Sequence, residues 1–292
     1  MLSLVTVFLW GSLPLALKAV TGNMDPVTLT WYRHAVSLTI LTPVVWRRRL
    51  LPSPATISRR MLLWGICVAG FLGNNLAYLW GLGRISPAAA GVVIQLAPLL
   101  TLLGAVVFFG ERFSRLQYWG MVLLVGGMLA FFHPRLGALL RAEGVQAVGV
   151  GWVVLAAACW AAYALAQKAL TRDCSSLAVL WMNFAAGLLF LAPASRPTEI
   201  EALNPSLFLL LLYCCVNGLI GYSAWAEAMS QWEASRVSAV LANTPLVTIL
   251  LTWVGSRVYP ELFAVEAISW INWAGALAVV GGSMLAAGVR PF

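Results

Sequence analysis

Acidic residues are scarce in this chain: ten Asp and Glu stand against eighteen Lys and Arg in 292 residues, and only 10% of the sequence is charged. A soluble domain carries about 25% charged residues, so a water-facing surface over most of the molecule is excluded. Period-two alternation of apolar and polar residues is also missing, which excludes a membrane β-barrel. Histidine occurs twice, as His34 and His133, in separate runs. A membrane enzyme would need clustered His, Asp, Glu or Ser chemistry, and two scattered histidines argue against one. The five cysteines, Cys67, Cys159, Cys174, Cys214 and Cys215, show neither CxxC nor Cys/His metal spacing, and four lie in apolar runs. They read as small packing residues and say nothing about redox compartment. No cofactor or metal is called for.

What is present is apolar: 61% of residues are hydrophobic and the mean hydropathy is +0.88. Only helices can then span the bilayer, each needing about 20 residues to cross about 30 Å. Ten apolar runs are visible, at roughly 2–20, 28–46, 61–83, 87–109, 114–132, 148–170, 176–194, 206–230, 236–256 and 266–288, five in each half. Asp25-Pro26, Pro52, Pro54, Ser86-Pro87, Pro134, Arg196-Pro197, Asn204-Pro205 and Tyr259-Pro260 fall between runs, where turns belong. The first run lacks a basic leader and a small-residue cleavage site, and is expected to be retained.

The net charge of +8 belongs mostly to short turns, so it reports topology rather than nucleic-acid binding. Placing Arg47, Arg48, Arg49, Arg59 and Arg60 in the cytoplasm brings eleven basic residues inside and leaves six outside, which predicts two cytoplasmic termini.

Sliding the chain by 150 positions pairs WGSLPLALK at 10–18 with WAAYALAQK at 160–168 and gives eleven identities over positions 10 to 43. Trp10/Trp160, Lys18/Lys168, Thr21/Thr171, Trp31/Trp181 and Pro43/Pro193 carry the signal. Five helices per copy is an odd number, so the second copy starts on the opposite side of the membrane. The expected fold is an all-α integral membrane protein with ten transmembrane helices. They form two inverted five-helix repeats, 1–145 and 146–292, around a central cavity. That arrangement serves alternating access.

Interrupted helices in corresponding positions point to a transport site. VVIQLAPLLTLL and AVLANTPLVTIL carry Pro98 and Pro245 in mid-run, which deprives the carbonyls of Ile94 and Leu241 of intrahelical partners. An ordinary proline kink packed on its neighbours is the alternative. Gln95 precedes Pro98 by a turn, and Asn243 lies just before Pro245. Asn74 and Tyr78 share a helical face, as do Trp160, Tyr163 and Gln167. With Trp10, Asn217, Tyr222 and Trp225 they form the candidate substrate surface, although aromatics in membrane helices also serve as core or interfacial belts.

WYRHA at 31–35 places Arg33 and His34 inside the second run, where the repeat has Asn183 and Phe184. Arg33 either snorkels outward toward Asp25, holds a carboxylate of the cargo or closes an outer gate. His34 is a packing or a relay residue. All ten carboxylates lie in turns or within the last couple of turns of a run. A cation/proton antiporter uses a buried carboxylate, so a neutral or zwitterionic cargo fits better. Gly120, Gly126 and Gly127 are echoed by Gly275, Gly281 and Gly282, which read as close-packing surfaces, with a dimer face as one place for them.

Ten helices in two halves, the Trp–x7–Lys opening of each, the mid-helix prolines, FFGE at 108–111 and the closing Gly-Gly pairs together resemble the EamA-type drug/metabolite transporter superfamily, over essentially the whole chain. The second half shows VGSRVYPE at 254–261 where FFGE would recur, so a gating role for Glu111 has no mirror there. The aromatic-rich centre without a midplane carboxylate looks most like the YddG-like aromatic amino acid exporters. That likeness implies export of Phe, Tyr, Trp and further Met or Thr from a bacterial cytoplasm across the inner membrane, by a monomer or weak homodimer. Carriage of other metabolites or drugs is the alternative, as is carriage of sugar phosphates or nucleotide sugars, which would call for more midplane Lys or Arg than Arg33. A channel would need an oligomeric pore or an open filter.

Overall fold

A computed structural model describes residues 2–109, 114–133, 144–231, 240–241, 243–258 and 269–286. Among these residues the secondary structure is all helix, and every α-helix except the short Pro54–Arg59 falls on an apolar run. The α-helices are α1 (Leu2–Thr21), α2 (Pro26–Arg47), the short α3 (Pro54–Arg59), α4 (Met61–Leu82), α5 (Pro87–Val93), α6 (Leu96–Phe109), α7 (Arg115–Phe131), α8 (Gly144–Leu170), α9 (Ser176–Leu191), α10 (Pro205–Gln231), α11 (Thr244–Val258) and α12 (Trp270–Ala286). Among the described residues, five spans are long and apolar enough to cross a membrane alone: Ser3–Thr21, Met61–Leu82, Gly144–Leu170, Ser176–Ala194 and Pro205–Trp225. α2 has the length, at 22 residues, but Arg33, His34 and its threonines lower its hydropathy.

Four of the turn signals turn out to be helix starts, while Pro134 and Tyr259-Pro260 lie outside the described residues. Asp25, Ser53 and Ser86 each accept backbone N–H groups with their side chains, and a proline follows each one at the first helical position. There the missing proline N–H costs nothing, because no helical carbonyl precedes it. Asn204 does the same before Pro205, its Oδ1 accepting from the Leu207 N–H at 2.9 Å. Ser114 and Gln117 form a reciprocal capping box on α7.

The first half packs on the second through antiparallel pairs. α4 lies along α8: a Cβ on Gly70 would meet the backbone of Cys159 and Tyr163, and one on Gly81 would meet Gly149 and Val153. α1 lies along α10 in the same sense, with Asn217 Nδ2 donating to the Leu9 carbonyl at 2.8 Å and Ser12 bonded to the Tyr213 hydroxyl. α2 pairs with α9: the Trp31 indole donates to the Leu188 carbonyl at 3.1 Å and the Trp181 indole to Thr42 Oγ1 at 2.9 Å. The main contacts recur with the halves exchanged. α1 with α10 matches α8 with α4, α1 with α11 matches α8 with α6, and α2 with α10 matches α9 with α4.

The glycine echo sits on this pattern. Gly120 of α7 faces Gly282 of α12, while Gly127 faces Gly275, so Gly120 meets the counterpart of Gly127 and Gly127 the counterpart of Gly120. The backbones touch with no room for a Cβ, and the Asn272 amide donates to the Phe131 carbonyl at 2.5 Å where the two helices end. These glycines are therefore consumed inside one chain, and the dimer-face use is not available to Gly120, Gly127, Gly275 and Gly282. Gly126 and Gly281 have no such neighbour: nothing lies near a Cβ on the first, and only a Leu123 methyl near one on the second.

Candidate functional site

Hydrogen bonds between backbone groups leave the helices with satisfied ladders, so polar side chains buried among them stand out. Two asparagines tie helices across the seam between the halves. Asn74 Nδ2 donates to the Ala156 carbonyl of α8 at 2.9 Å, and Asn217 does the equivalent to Leu9 of α1. Asn74 is thereby a packing strut, and its neighbour Asn75 takes the inward place.

Between the same helices lies a continuous group of rings drawn from both halves. Trp10 of α1 stands 5.8 Å from its repeat mate Trp160 of α8, 5.5 Å from Tyr222 and 6.5 Å from Trp225 of α10. Trp160 stacks near-parallel on Tyr222 at 6.1 Å and meets Tyr163 edge-on at 5.5 Å. Phe71 of α4 continues the group, 5.2 Å from Tyr163, 5.6 Å from Tyr222 and 5.7 Å from Phe184 of α9. His34 closes it, stacked on Phe71 at 5.4 Å. Each such pair contributes about 0.5–1.5 kcal/mol beyond area burial. Gly221 makes room for Trp10, since a Cβ there would lie 2.5 Å from its indole nitrogen. Phe71 and Tyr163 are fully buried, whereas Trp10, Trp160 and Trp225 are half-buried and form the accessible margin. The rings fill the seam, and a half-open cleft of about 340 Å³ lies elsewhere, among Ala55, Thr56, Arg59, Arg60 and Asp173.

Of the candidates read from sequence, Trp10, Trp160, Tyr163 and Tyr222 are brought together. Tyr78 is not: it packs on the apolar cluster containing Leu79, Val92 and Val153, and makes no ring contact with the group among the described residues. Phe71 was missed, having no polar or repeat signal to mark it.

The interrupted helix exists, but its break differs from the expectation. α5 ends at Val93 and α6 begins at Leu96, so Pro98 sits in the first turn of a new helix rather than at a mid-helix kink. Pro245 likewise is the second residue of α11. Neither freed carbonyl is left open: Ile94 O accepts from the Ala97 N–H at 2.9 Å, and Leu241 O accepts from Thr244 Oγ1 at 2.6 Å. Gln95 is buried at the break and engaged, and Asn243 spends its amide on the Val240 carbonyl at 3.1 Å. α11 rests against α1 through Thr248, whose hydroxyl donates to the Gly11 carbonyl at 2.9 Å, one residue from Trp10. Glu111 lies outside the described residues.

Arg33 does not snorkel. Asp25 caps its own helix, and Arg33 turns inward, 7% exposed, with Nη1 donating to Asn75 Oδ1 at 3.2 Å. Among the described residues the one ion pair is Arg60–Asp173 at 3.0 Å, near the ends of α4 and α8. A central charge costs about 2.5–3.5 kcal/mol on insertion scales, so an unpaired guanidinium here carries a standing penalty.

An all-helical bundle too apolar for water, with amides, rings and a cation drawn to a seam between its halves, defines a membrane carrier. The chain belongs to the EamA-like transporter family, whose model matches residues 1–132 and again residues 147–288. It is 32% identical over 290 residues to YhbE of Escherichia coli K12, named an inner membrane transporter, covering 98% of this chain and 90% of that protein. It is 26% identical over 304 residues to a protein of Streptantibioticus cattleyicolor named a probable terminal-alkyne amino-acid exporter, at 98% and 90% coverage. RarD of Salmonella typhimurium matches at 24% over 283 residues, with 93% and 91% covered. A crystal structure shares the fold with a TM-score of 0.66 at 21% identity, over 98% of this chain and 94% of the other. The protein is accordingly a multi-pass inner-membrane transporter and not an enzyme.

Proposed function

We propose that the protein exports amino acids, those with aromatic side chains foremost, by alternating access between halves 1–145 and 146–292 arranged as inverted repeats with both termini in the cytoplasm. The observation that carries this reading is the ring group at the seam, to which repeat-related Trp10 and Trp160 contribute rings that meet edge to face at 5.8 Å. Such a surface accepts an aromatic side chain by exchanging ring contacts at little net cost. The contacts that recur with halves exchanged support two related gates around it, because moving one half re-creates at one side what it breaks at the other. The Streptantibioticus relative, named for an amino-acid exporter, supports the cargo class.

Efflux of labelled phenylalanine from proteoliposomes tests the proposal. Saturable flux that falls at least about tenfold, or about 1.4 kcal/mol of barrier, in Trp10→Ala and Trp160→Ala is expected. Full flux in the double variant would remove the ring group as the site.

A further inference from the structure

We infer that Arg33 is the receptor for a carboxylate of the cargo, and that the site therefore selects planar apolar compounds bearing that one anionic group. The inference rests on the ring group being the transport site.

A guanidinium has five N–H donors. In the structure one is bound to Asn75 Oδ1, and Nε is buried without any acceptor. Asn75 is itself pinned, its Nδ2 donating to the Phe71 carbonyl at 2.9 Å, so its oxygen is held toward Arg33. One neutral acceptor orients a guanidinium without neutralising it. Among the described residues, the groups that feel its charge include the Tyr222 hydroxyl, the thiols of Cys214 and Cys215, and His34. None of these is a carboxylate, and Arg33 makes no ion pair among the described residues. Asp25 is committed to the N-terminus of α2, eight residues or about 12 Å of helical rise away. The backbone of Glu227 lies nine residues, about 13.5 Å, along α10 from Gly218, the residue beside Arg33. Gly218 leaves space where the guanidinium ends, since even an added Cβ would lie 3.6 Å from Nη2.

The charge is coupled to the rings through two short links. Asn75 stands one helical turn from Phe71, and Tyr222, in ring contact with Phe71, Trp10 and Trp160, reaches the Asn75 amide. A ligand whose ring displaces the Trp10–Trp160 contact thus has its polar end directed past Tyr222 toward Arg33. The planar guanidinium matches a carboxylate in two parallel hydrogen bonds, which ammonium or neutral groups cannot accept. The repeat places Asn183 where Arg33 stands, so the anion receptor exists in one half only and fixes the direction in which the cargo lies.

Ligand-induced thermal shifts on the purified protein test this, with phenylalanine, phenylalaninamide, 3-phenylpropionate, phenethylamine and phenyl phosphate as probes, on the wild type, Arg33→Gln and Arg33→Lys. The wild type is expected to bind phenylalanine and 3-phenylpropionate at least tenfold tighter than their carboxylate-free counterparts. Arg33→Gln is expected to abolish that preference, Arg33→Lys to keep part of it, and Arg33→Gln to melt no lower than the wild type without ligand, because an unpaired buried charge is removed. Equal preference in wild type and Arg33→Gln would overturn the assignment, as would a stronger shift with phenyl phosphate or a large loss of apo stability in Arg33→Gln. A phenylalanine response that ignores Arg33 would leave the amino-acid reading standing without it. An Arg33-dependent response to 3-phenylpropionate without one to phenylalanine would do the reverse.

Discussion

Gly187 shows how narrowly single residues are fitted. A Cβ there would overlap the His34 imidazole, which is 2% exposed and held between Phe71 and Phe184. Gly187→Ala is expected to destabilise the folded protein by about 1–3 kcal/mol through overpacking, and His34→Ala in the same background to recover most of it. Thermal melting of the two single variants and the double variant checks the coupling. Surface charge behaves differently: Arg60 and Asp173 are about one-third exposed, at 34% and 39%, so Arg60→Ala should change stability by under about 1 kcal/mol. At this scale the sequence was partly legible. WYRHA marked Arg33 because a charge inside an apolar run is anomalous wherever it points. GNNLAY did not show which asparagine faces the centre, since spacing places Asn74 with Tyr78 on one face but not which neighbour that face meets. The structure gives Asn74 to α8 and Asn75 to Arg33.

Helix pairs are fixed by where small residues allow backbones to meet, since lipid offers no hydrophobic drive between helices. α7 and α12 are the clearest case, and Gly127→Leu or Gly275→Leu should separate them and lower the melting temperature sharply. Size exclusion should show the oligomeric state unchanged, because the contact is internal; loss of a dimer instead would contradict the packing. The prolines of the interrupted helices make a second prediction. Pro98 and Pro245 lie in first turns, where an N–H has no carbonyl to reach, so Pro98→Ala should alter stability by less than about 1 kcal/mol. A proline interior to a continuous helix would instead release about 3 kcal/mol on replacement. Sequence located the interruption within a few residues because proline's constraint is local. It misjudged the geometry because the break at Ile94 and Gln95 depends on α5 and α6 packing on different neighbours, α11 and α8.

Over the whole molecule, the ten runs and the repeat were readable, as hydrophobic length and a shared Trp–x7–Lys pattern survive without any knowledge of contacts. The ring group was half readable. Trp10, Trp160, Tyr163 and Tyr222 carried repeat or spacing signals, whereas Phe71 acquires its role only from the antiparallel packing of α4 on α8. The proposed alternating access requires the site between the two halves to open to each side in turn. Cysteine accessibility measures that directly: Trp225→Cys, in a background with the five native cysteines replaced, is exposed to a membrane-impermeant maleimide from either side of sealed, oriented vesicles. The account predicts modification from both sides, with each rate lowered by saturating phenylalanine. Modification from one side alone, or rates from both sides that phenylalanine leaves unchanged, would contradict it.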